Sequence, residues 1–526
     1  MSRRYDAIVV GGGHNGLVAA AYLARAGKTV LVLERRDVLG GAAVSEEVFP
    51  GFTFSVCSYV VSLLKSDIIR DLQLPRHGLE LLPLESTFTP LPNDDYLIRW
   101  ADHDKTRQEL YRHSPRDAEQ YDRFGQLMNQ IGMAVKPILE MVPPDPSRLS
   151  FAALRELVKL GRHFKSLGQE KFAALAKLMT MSAADLLDEW FEFEPLKATI
   201  SASGIIGTFM GPRSPGSAYV MLHHYMGDID GVFRAWGFQR GGTGEVSMSI
   251  ARSALELGAD IKTEAPVSKL MVQNGKAIGV ALENGDEFYS KVVISGLDPK
   301  LTFLKLVDEK ELPQDFVTSI RNFRIRGSSG KVNLALDALP NFTAIPGYGP
   351  HLRGAISISP SYDYLETAYD DAKYGNFSRQ PFIDMILPSV LDPAMAPPGK
   401  HVMSCFVQYA PYDLNGGWND AQREAFGDAV VDAIAQFAPN IKDIILHRQV
   451  LTPWDLENTF GLTEGNIFHG ELSLQQLFFL RPAASWADYR TPIRGYYQCG
   501  SGTHPGGGIS GATGQMAATE ILKEWR

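Results

Sequence analysis

The chain has 526 residues, 45% of them hydrophobic, which is enough to bury a large core and more than one domain usually holds. A net charge of −9 at pH 7 excludes general nucleic-acid binding, which draws its affinity from Lys and Arg neutralising phosphates. Three scattered cysteines, Cys57, Cys405 and Cys499, exclude a disulfide framework, a zinc site and a paired-thiol relay.

The first strand is expected from about Tyr5, leaving no room for a signal or transit peptide before it, so a cytoplasmic location is the default. No run reaches the roughly 18 to 20 uninterrupted apolar residues of a spanning helix. Val9 to Gly16, a helix-like run and then Val30 to Glu34 read as strand, glycine turn, helix and a second strand ending in an acid. This is a dinucleotide pattern: Gly11 permits the sharp turn, Gly13 lets the backbone approach a pyrophosphate, and Gly16 lets the helix pack closely on the strand. The phosphates would meet the helix N-terminus at His14 and Asn15, where the dipole favours negative charge. Glu34, followed by Arg35, falls where a carboxylate accepts hydrogen bonds from an adenosine ribose and repels a 2′-phosphate. NADP is thereby disfavoured, while FAD and NAD remain open. A second glycine pair, Gly40-Gly41 before Ala42, again permits close approach to a ligand.

Residues 88–100 read as short strands and residues 104–194 as helices, broken into two groups by Pro143, Pro144 and Pro146. The stretch 151–181 is locally basic, with Arg155, Lys159, Arg162, Lys165, Lys171 and Lys177 against Glu156 and Glu170. Such a helix can rest peripherally on an anionic membrane or form the solvated face of a cap. His223-His224 has no third ligand at metal spacing, so a packed pair is expected and no metal. Beyond Gly241 to Gly244, a helix over 245–257 leads to strands at 267–272, 277–283 and 291–295, with a turn at Asn284-Gly285-Asp286. Residues 301–489 mix helices and strands, including one over 331–336. A last strand at 495–500 and a closing helix over 509–525 complete the chain.

The segment Cys499 to Ala512 is a strand, a glycine loop and a helix N-terminus, a second anion-friendly site that NAD does not need. Taken with Gly11/Gly13/Gly16, Glu34, Gly40/Gly41, Pro50-Gly51-Phe52, Gly241 to Gly244, Arg481-Pro482 and Thr503 to Gly508, it resembles the flavin amine oxidase and phytoene desaturase superfamily. Within that superfamily the chain is similar to the phytoene-desaturase-related branch of the pyridine nucleotide-disulphide oxidoreductase domain-containing proteins, whose name promises a dithiol absent here. The resemblance implies FAD as cofactor and an α/β fold: a discontinuous Rossmann-type FAD-binding domain with a β-meander, over 1–87, 236–300 and 490–526. A mixed α+β substrate domain with a helical cap would occupy 88–235 and 301–489.

The same resemblance implies several roles. The turn at Gly11 to Gly16 would hold the pyrophosphate, Glu34 the ribose and Gly40 to Ala42 the middle of the cofactor. Val267 would contact the adenine through its backbone, and Gly500 and Ser501 the pyrophosphate and ribityl chain. A helix opening at Gly508, Ile509 and Ser510 would aim N–H groups at the flavin, with His504 shaping the loop. Two departures stand out: Gly508 occupies the position of an aromatic cage residue of amine oxidases, and Ala42 that of a common Arg.

Hydride transfer needs little beyond a C–H bond held close to the flavin, so the catalytic list is short. Lys331, at the opening of its strand, is either a buried lysine assisting oxygen reduction or a strand-end surface residue. His469, with Glu471 nearby, would face the substrate or serve loop hydrogen bonding. The function expected is desaturase-like hydride abstraction from an apolar or conjugated small molecule, with no nucleic-acid partner. The rivals are an amine oxidase releasing hydrogen peroxide and a flavoprotein kept for partner binding.

Overall fold

A computed structural model describes residues 4–145, 151–229, 232–233 and 236–525; Pro146, one of the expected helix breakers, lies outside them. The first strand β1 (Arg4–Val10), helix α1 (His14–Arg25) and strand β2 (Val30–Leu33) form the expected unit. β1 is a nearly continuous apolar run because both faces of its parallel sheet are covered. Ala7 and Val9 pack against helices on one face, and Ile8 and Val10 against the core on the other.

The sheet runs Asp260–Lys262, β2, β1, Glu287–Ser295, all parallel. Beyond this, the far edge of Glu287–Ser295 is shared. Its beginning pairs antiparallel with Lys276–Leu282, which pairs with Val267–Gln273, and its last three residues pair parallel with Tyr496–Gln498. The strand begins four residues before the expected Lys291, because Glu287 to Tyr289 are taken up by the meander.

α1 lies between helix Gly244–Glu256 and the closing helix Ala512–Glu524, and its Ala19, Ala20 and Ala21 are buried among Val246, Ile250, Met516 and Ala517. Small side chains let three helix backbones approach one face of the sheet. Gly16 is one of the tight contacts: a Cβ there would sit 2.3 Å from the Gly11 carbonyl oxygen and 3.2 Å from Val9 Cγ1.

A second sheet of seven strands has the order Ile445–Leu451, Ser329–Leu336, His401–Gln408, Phe382–Ile386, Ala355–Ile358, Ser86–Pro90, Tyr96–Trp100. All its pairs are antiparallel except that between Ala355–Ile358 and Ser86–Pro90. Every residue of Ser329–Leu336 is buried, so its Lys331 is an interior residue and not a strand-end surface lysine.

Helices Pro115–Leu139, Phe151–Thr180, Ala183–Asp188, Glu194–Ser201 and Ser217–Tyr225 share a core containing Phe124, Met128, Ile131, Leu178 and Leu186. On Phe151–Thr180, Arg155, Lys159, Arg162, Lys165, Lys171 and Lys177 are exposed together with Leu154, Val158 and Phe172. The side chain of Glu170 lies outside the described part. Among the described residues no helix is long and apolar enough to cross a membrane.

Replacing Gly16 by Ala should gain about 1 kcal/mol of helix propensity but drive a methyl into a backbone carbonyl that cannot swing away. We expect a net loss of about 1–3 kcal/mol in urea unfolding of the cofactor-free protein. Unchanged or higher stability would show that α1 does not seat on the turn as described.

Candidate functional site

A cavity of about 470 Å³ opens at the carboxyl ends of β1, β2 and Glu287–Ser295, the edge where parallel α/β sheets place ligands. Its wall takes in Gly11, Gly13, His14, Asn15 and Gly16, then Glu34 and Arg35, then Gly40, Gly41 and Ala42. Val267, Ser501, Gly508 and Ile509 line the same cavity, and so does His469. Gly500, His504, Ser510 and Lys331 are not on this wall.

Glu34 is held as an acceptor: Oε2 takes the N–H of Gly12 at 2.7 Å and Oε1 that of Arg36 at 2.9 Å. Each carboxylate oxygen keeps a further lone pair for a ligand hydroxyl. In front of Gly13 the space is open, since a Cβ there would meet nothing nearer than the Gly40 carbonyl oxygen at 4.0 Å. At the start of α1, Asn15 Nδ2 donates to Ser501 Oγ at 3.1 Å and His14 Nε2 to the Gly508 carbonyl at 3.1 Å. Among the described residues, the buried Oδ1 of Asn15 and Nδ1 of His469 find no hydrogen-bond partner, so two wall residues carry unsatisfied polar atoms. An elongated groove with a carboxylate at one end, an open helix N-terminus in the middle and orphaned polar atoms beyond fits a dinucleotide.

The closing helix corrects one expectation. It starts at Ala512, behind Gly511 at φ +70°, and does not open at Gly508. Gly508 at φ +121° and Gly511 occupy backbone regions through which a right-handed helix cannot run, and the Ser510 N–H is already bound to the Gly508 carbonyl at 2.9 Å. Gly508 and Ile509 therefore reach the wall as loop residues. His504 is buried behind that loop, its carbonyl accepting from the Tyr489 hydroxyl at 2.8 Å. The Gly500 carbonyl accepts the Thr503 N–H at 3.0 Å, closing the turn from inside.

Glu471 does not face the cavity, because its carboxylate is bound by Arg326 at 2.7 and 3.0 Å. His223 and His224 are a packed pair with ring centroids 5.5 Å apart, one bound to the Gly507 carbonyl and the other to that of Val220. Among the described residues no group of His, Cys, Asp and Glu could hold a metal. Burial disfavours the imidazolium throughout this region: His14, His224 and His469 are pushed down to about 4, and His223 and His504 to about 3. All are neutral at pH 7.

Lys331 lies one layer behind the wall, beneath the segment Cys57-Ser58-Tyr59 of which Ser58 lines the cavity. Pairing of Lys331 with Phe406, and of Phe406 with Asp384, puts the three in one row across three strands. Tyr59 stacks over Phe406, with centroids 5.9 Å apart, donates its hydroxyl to Asp384 Oδ2 at 2.6 Å and turns its ring face to Lys331 Nζ at 4.6 Å. Burial pushes the Lys331 ammonium down to about 8 and Asp384 up to about 6, and Nζ has no hydrogen-bond partner. Nothing in the local sequence announces this row, which arises from strand register.

Other wall residues escaped the sequence reading: Ser58, Leu297, the run Phe460 to Leu462, Ile467 and Phe468. Gly296-Leu297 directly follows a parallel strand, a position that points to ligand contact. Phe460 ends the helix Pro453–Phe460, and the others sit in loops; none belongs to a motif.

The chain matches the family described as flavin containing amine oxidoreductase over residues 16–522. It is 42% identical to pyridine nucleotide-disulfide oxidoreductase domain-containing protein 2 of Rattus norvegicus, over 99% of this chain and 94% of the relative. To one of the subunits of the limonene dehydrogenase of Castellaniella defragrans it is 25% identical, over 99% and 95% of the two chains. Among solved structures, putrescine oxidase bound to putrescine superposes with a TM-score of 0.61 at 15% identity, covering 99% of this chain and 100% of that one; this likeness shows the shared fold.

Because the folded pKa of His469 lies below its unfolded value, its contribution to stability is full above about pH 6.5 and is lost as the pH falls toward 4. That amounts to about 2 kcal/mol between pH 7 and pH 5 for each such histidine. His469→Gln should remove one histidine's share from the stability difference between those pH values in urea titrations; an unaltered difference would mean His469 is solvated. Lys331→Met should slow flavin reoxidation by oxygen about tenfold or more while FAD stays bound. An unaltered stopped-flow trace would remove Lys331 from the redox machinery.

Proposed function

This chain belongs to the flavin containing amine oxidoreductase family and is an FAD-dependent oxidoreductase, and we propose that it dehydrogenates a largely apolar or conjugated small molecule. FAD, when bound, supplies the two-electron acceptor. The chain's own residues bind, orient and exclude water. In this reading the pyrophosphate lies over Gly13 at the start of α1, the ribose hydroxyls meet Glu34, the adenine rests beside Val267, and the flavin end lies among Ala42, Ser501, Gly508 and Ile509.

The observation that carries the substrate class is the end of the cavity farthest from Glu34. Ile467, Phe468 and Ile509 line it, and among the described wall residues the carboxylates are Glu34 and Glu283, both at the ribose end. An aromatic cage for a small amine has no place there: Gly508 has φ +121°, and a Cβ at that position would come within 2.6 Å of Leu63 Cδ1. Removing a hydride from one carbon and a proton from its neighbour leaves a double bond, and the proton needs an acceptor. His469, neutral and on the wall, is suited to take it through an imidazole nitrogen. The relative named for limonene dehydrogenase lends support, since limonene is an unsaturated hydrocarbon.

The purified protein should show a flavin absorbance band, and anaerobic titration with a cell extract fractionated by polarity should bleach that band in an apolar, unsaturated fraction. Bleaching by a panel of amines instead, with hydrogen peroxide formed on admitting air, would overturn the desaturase reading. A flavin band that no fraction reduces would favour a binding protein.

A further inference from the structure

Arg481 is wholly buried, yet among the described residues no carboxylate pairs with its guanidinium. Nε donates to the Thr503 carbonyl at 3.3 Å, Nη1 to Glu471 at 3.0 Å and Gln476 at 3.4 Å, and Nη2 to Phe468 at 3.2 Å, Gly470 at 3.1 Å and Ser501 at 2.9 Å. All six acceptors are backbone carbonyls. The other groups that face it are the Tyr219 hydroxyl, the imidazoles of His223, His469 and His504, and the ring of Phe323, 5.4 Å away. None bears a negative charge at pH 7. Glu471 follows in the chain but directs its carboxylate at Arg326.

An unpaired buried cation is costly to keep, and hydrogen-bonded carbonyls lower that cost without cancelling the charge. The charge also stands close to the cavity: Ser501 is a wall residue and Gly470 follows His469, so the guanidinium lies one peptide behind the wall. In a medium of low dielectric a fixed charge at that distance acts strongly on whatever fills the cavity.

We propose that Arg481 is a positioning residue whose uncompensated charge offsets the negative charge that FAD acquires on reduction, while its six bonds hold the loops 468–476 and 501–503 around the flavin end. The inference rests on FAD occupying this cavity. A hydride carries two electrons and one proton, so the oxidised cofactor gains one negative charge when it accepts one. With Arg481 present the reduced cofactor keeps that charge and one proton is taken up for two electrons. Without it the buried anion loses its counter-charge, and burial favours the neutral reduced form, which draws a second proton from solvent.

The test is a redox titration against reference dyes at pH 6 to 8 on FAD-loaded wild type, Arg481→Lys and Arg481→Met, alongside the affinity for oxidised FAD and thermal unfolding of the cofactor-free forms. In Arg481→Met the ratio of reduced to oxidised flavin at fixed potential and pH 8 should fall about tenfold or more, with two protons taken up instead of one. Arg481→Lys should restore ratio and proton count while melting below wild type, since charge returns without the six-fold clamp. A ratio within twofold of wild type in Arg481→Met overturns the proposal, as does a loss confined to the affinity for oxidised FAD, which would assign the charge to the pyrophosphate. Where Arg481→Met does not fold, Tyr219→Glu sets a carboxylate against the intact clamp and should shift the ratio the same way; no shift overturns the proposal. Wild type that takes up no FAD would instead refute the cofactor assignment itself.

Discussion

Strand Glu287–Ser295 is the member on which the other parts of the site depend. One of its edges pairs with β1, and the other is divided between the meander and Tyr496–Gln498. Parallel neighbours cannot be joined by a tight hairpin, so β1 and Tyr496–Gln498 reach this strand only through long crossovers, whereas the meander joins it by a short turn. The second sheet and the helical cap are carried within those crossovers. The bond from Asn15 to Ser501, between residues 486 positions apart, exists because this one strand brings the first and last parts of the chain to the same edge.

The cavity that results is electrically asymmetric. Glu34 is fixed by two backbone N–H groups on one part of the wall, whereas Ile467, Phe468 and Ile509 and the neutral His469 line another. Burial explains why imidazoles lose their protons here, since an isolated charge in a dry interior must find a counter-ion or disappear. Arg481 keeps its charge because a guanidinium is hard to deprotonate and six carbonyls solvate it in place of water. Lys331, with no hydrogen-bond partner, is held nearer to losing its own. Two cations thus stand behind the wall in unlike states, one locked and one titratable near neutral pH.

Local backbone geometry also bears on specificity. Gly508 reaches the wall in a conformation that side-chain-bearing residues rarely adopt, with Leu63 in the space a side chain would need. The loop thereby presents no side chain from position 508 to this end of the cavity. The same loop ends at Gly511, so the closing helix begins too late to aim its N-terminus at that end.

The amino-acid sequence by itself determined the first mononucleotide unit, its acid at Glu34, the glycine pair at Gly40-Gly41, the meander, and the return of the last strand. Each of these follows from short-range rules: the period of apolar residues, the backbone that glycine allows, and the spacing of a carboxylate after a strand. Only the tertiary structure decided which candidates reach the cavity. Register across three strands placed Lys331 in the row of Phe406 and Asp384 beneath Tyr59, a salt bridge to Arg326 turned Glu471 away, and two left-handed glycines moved the helix start past Ser510. It also decided the charge balance around Arg481, because an ion pair or its absence depends on residues far apart in the chain whose distances no local pattern encodes.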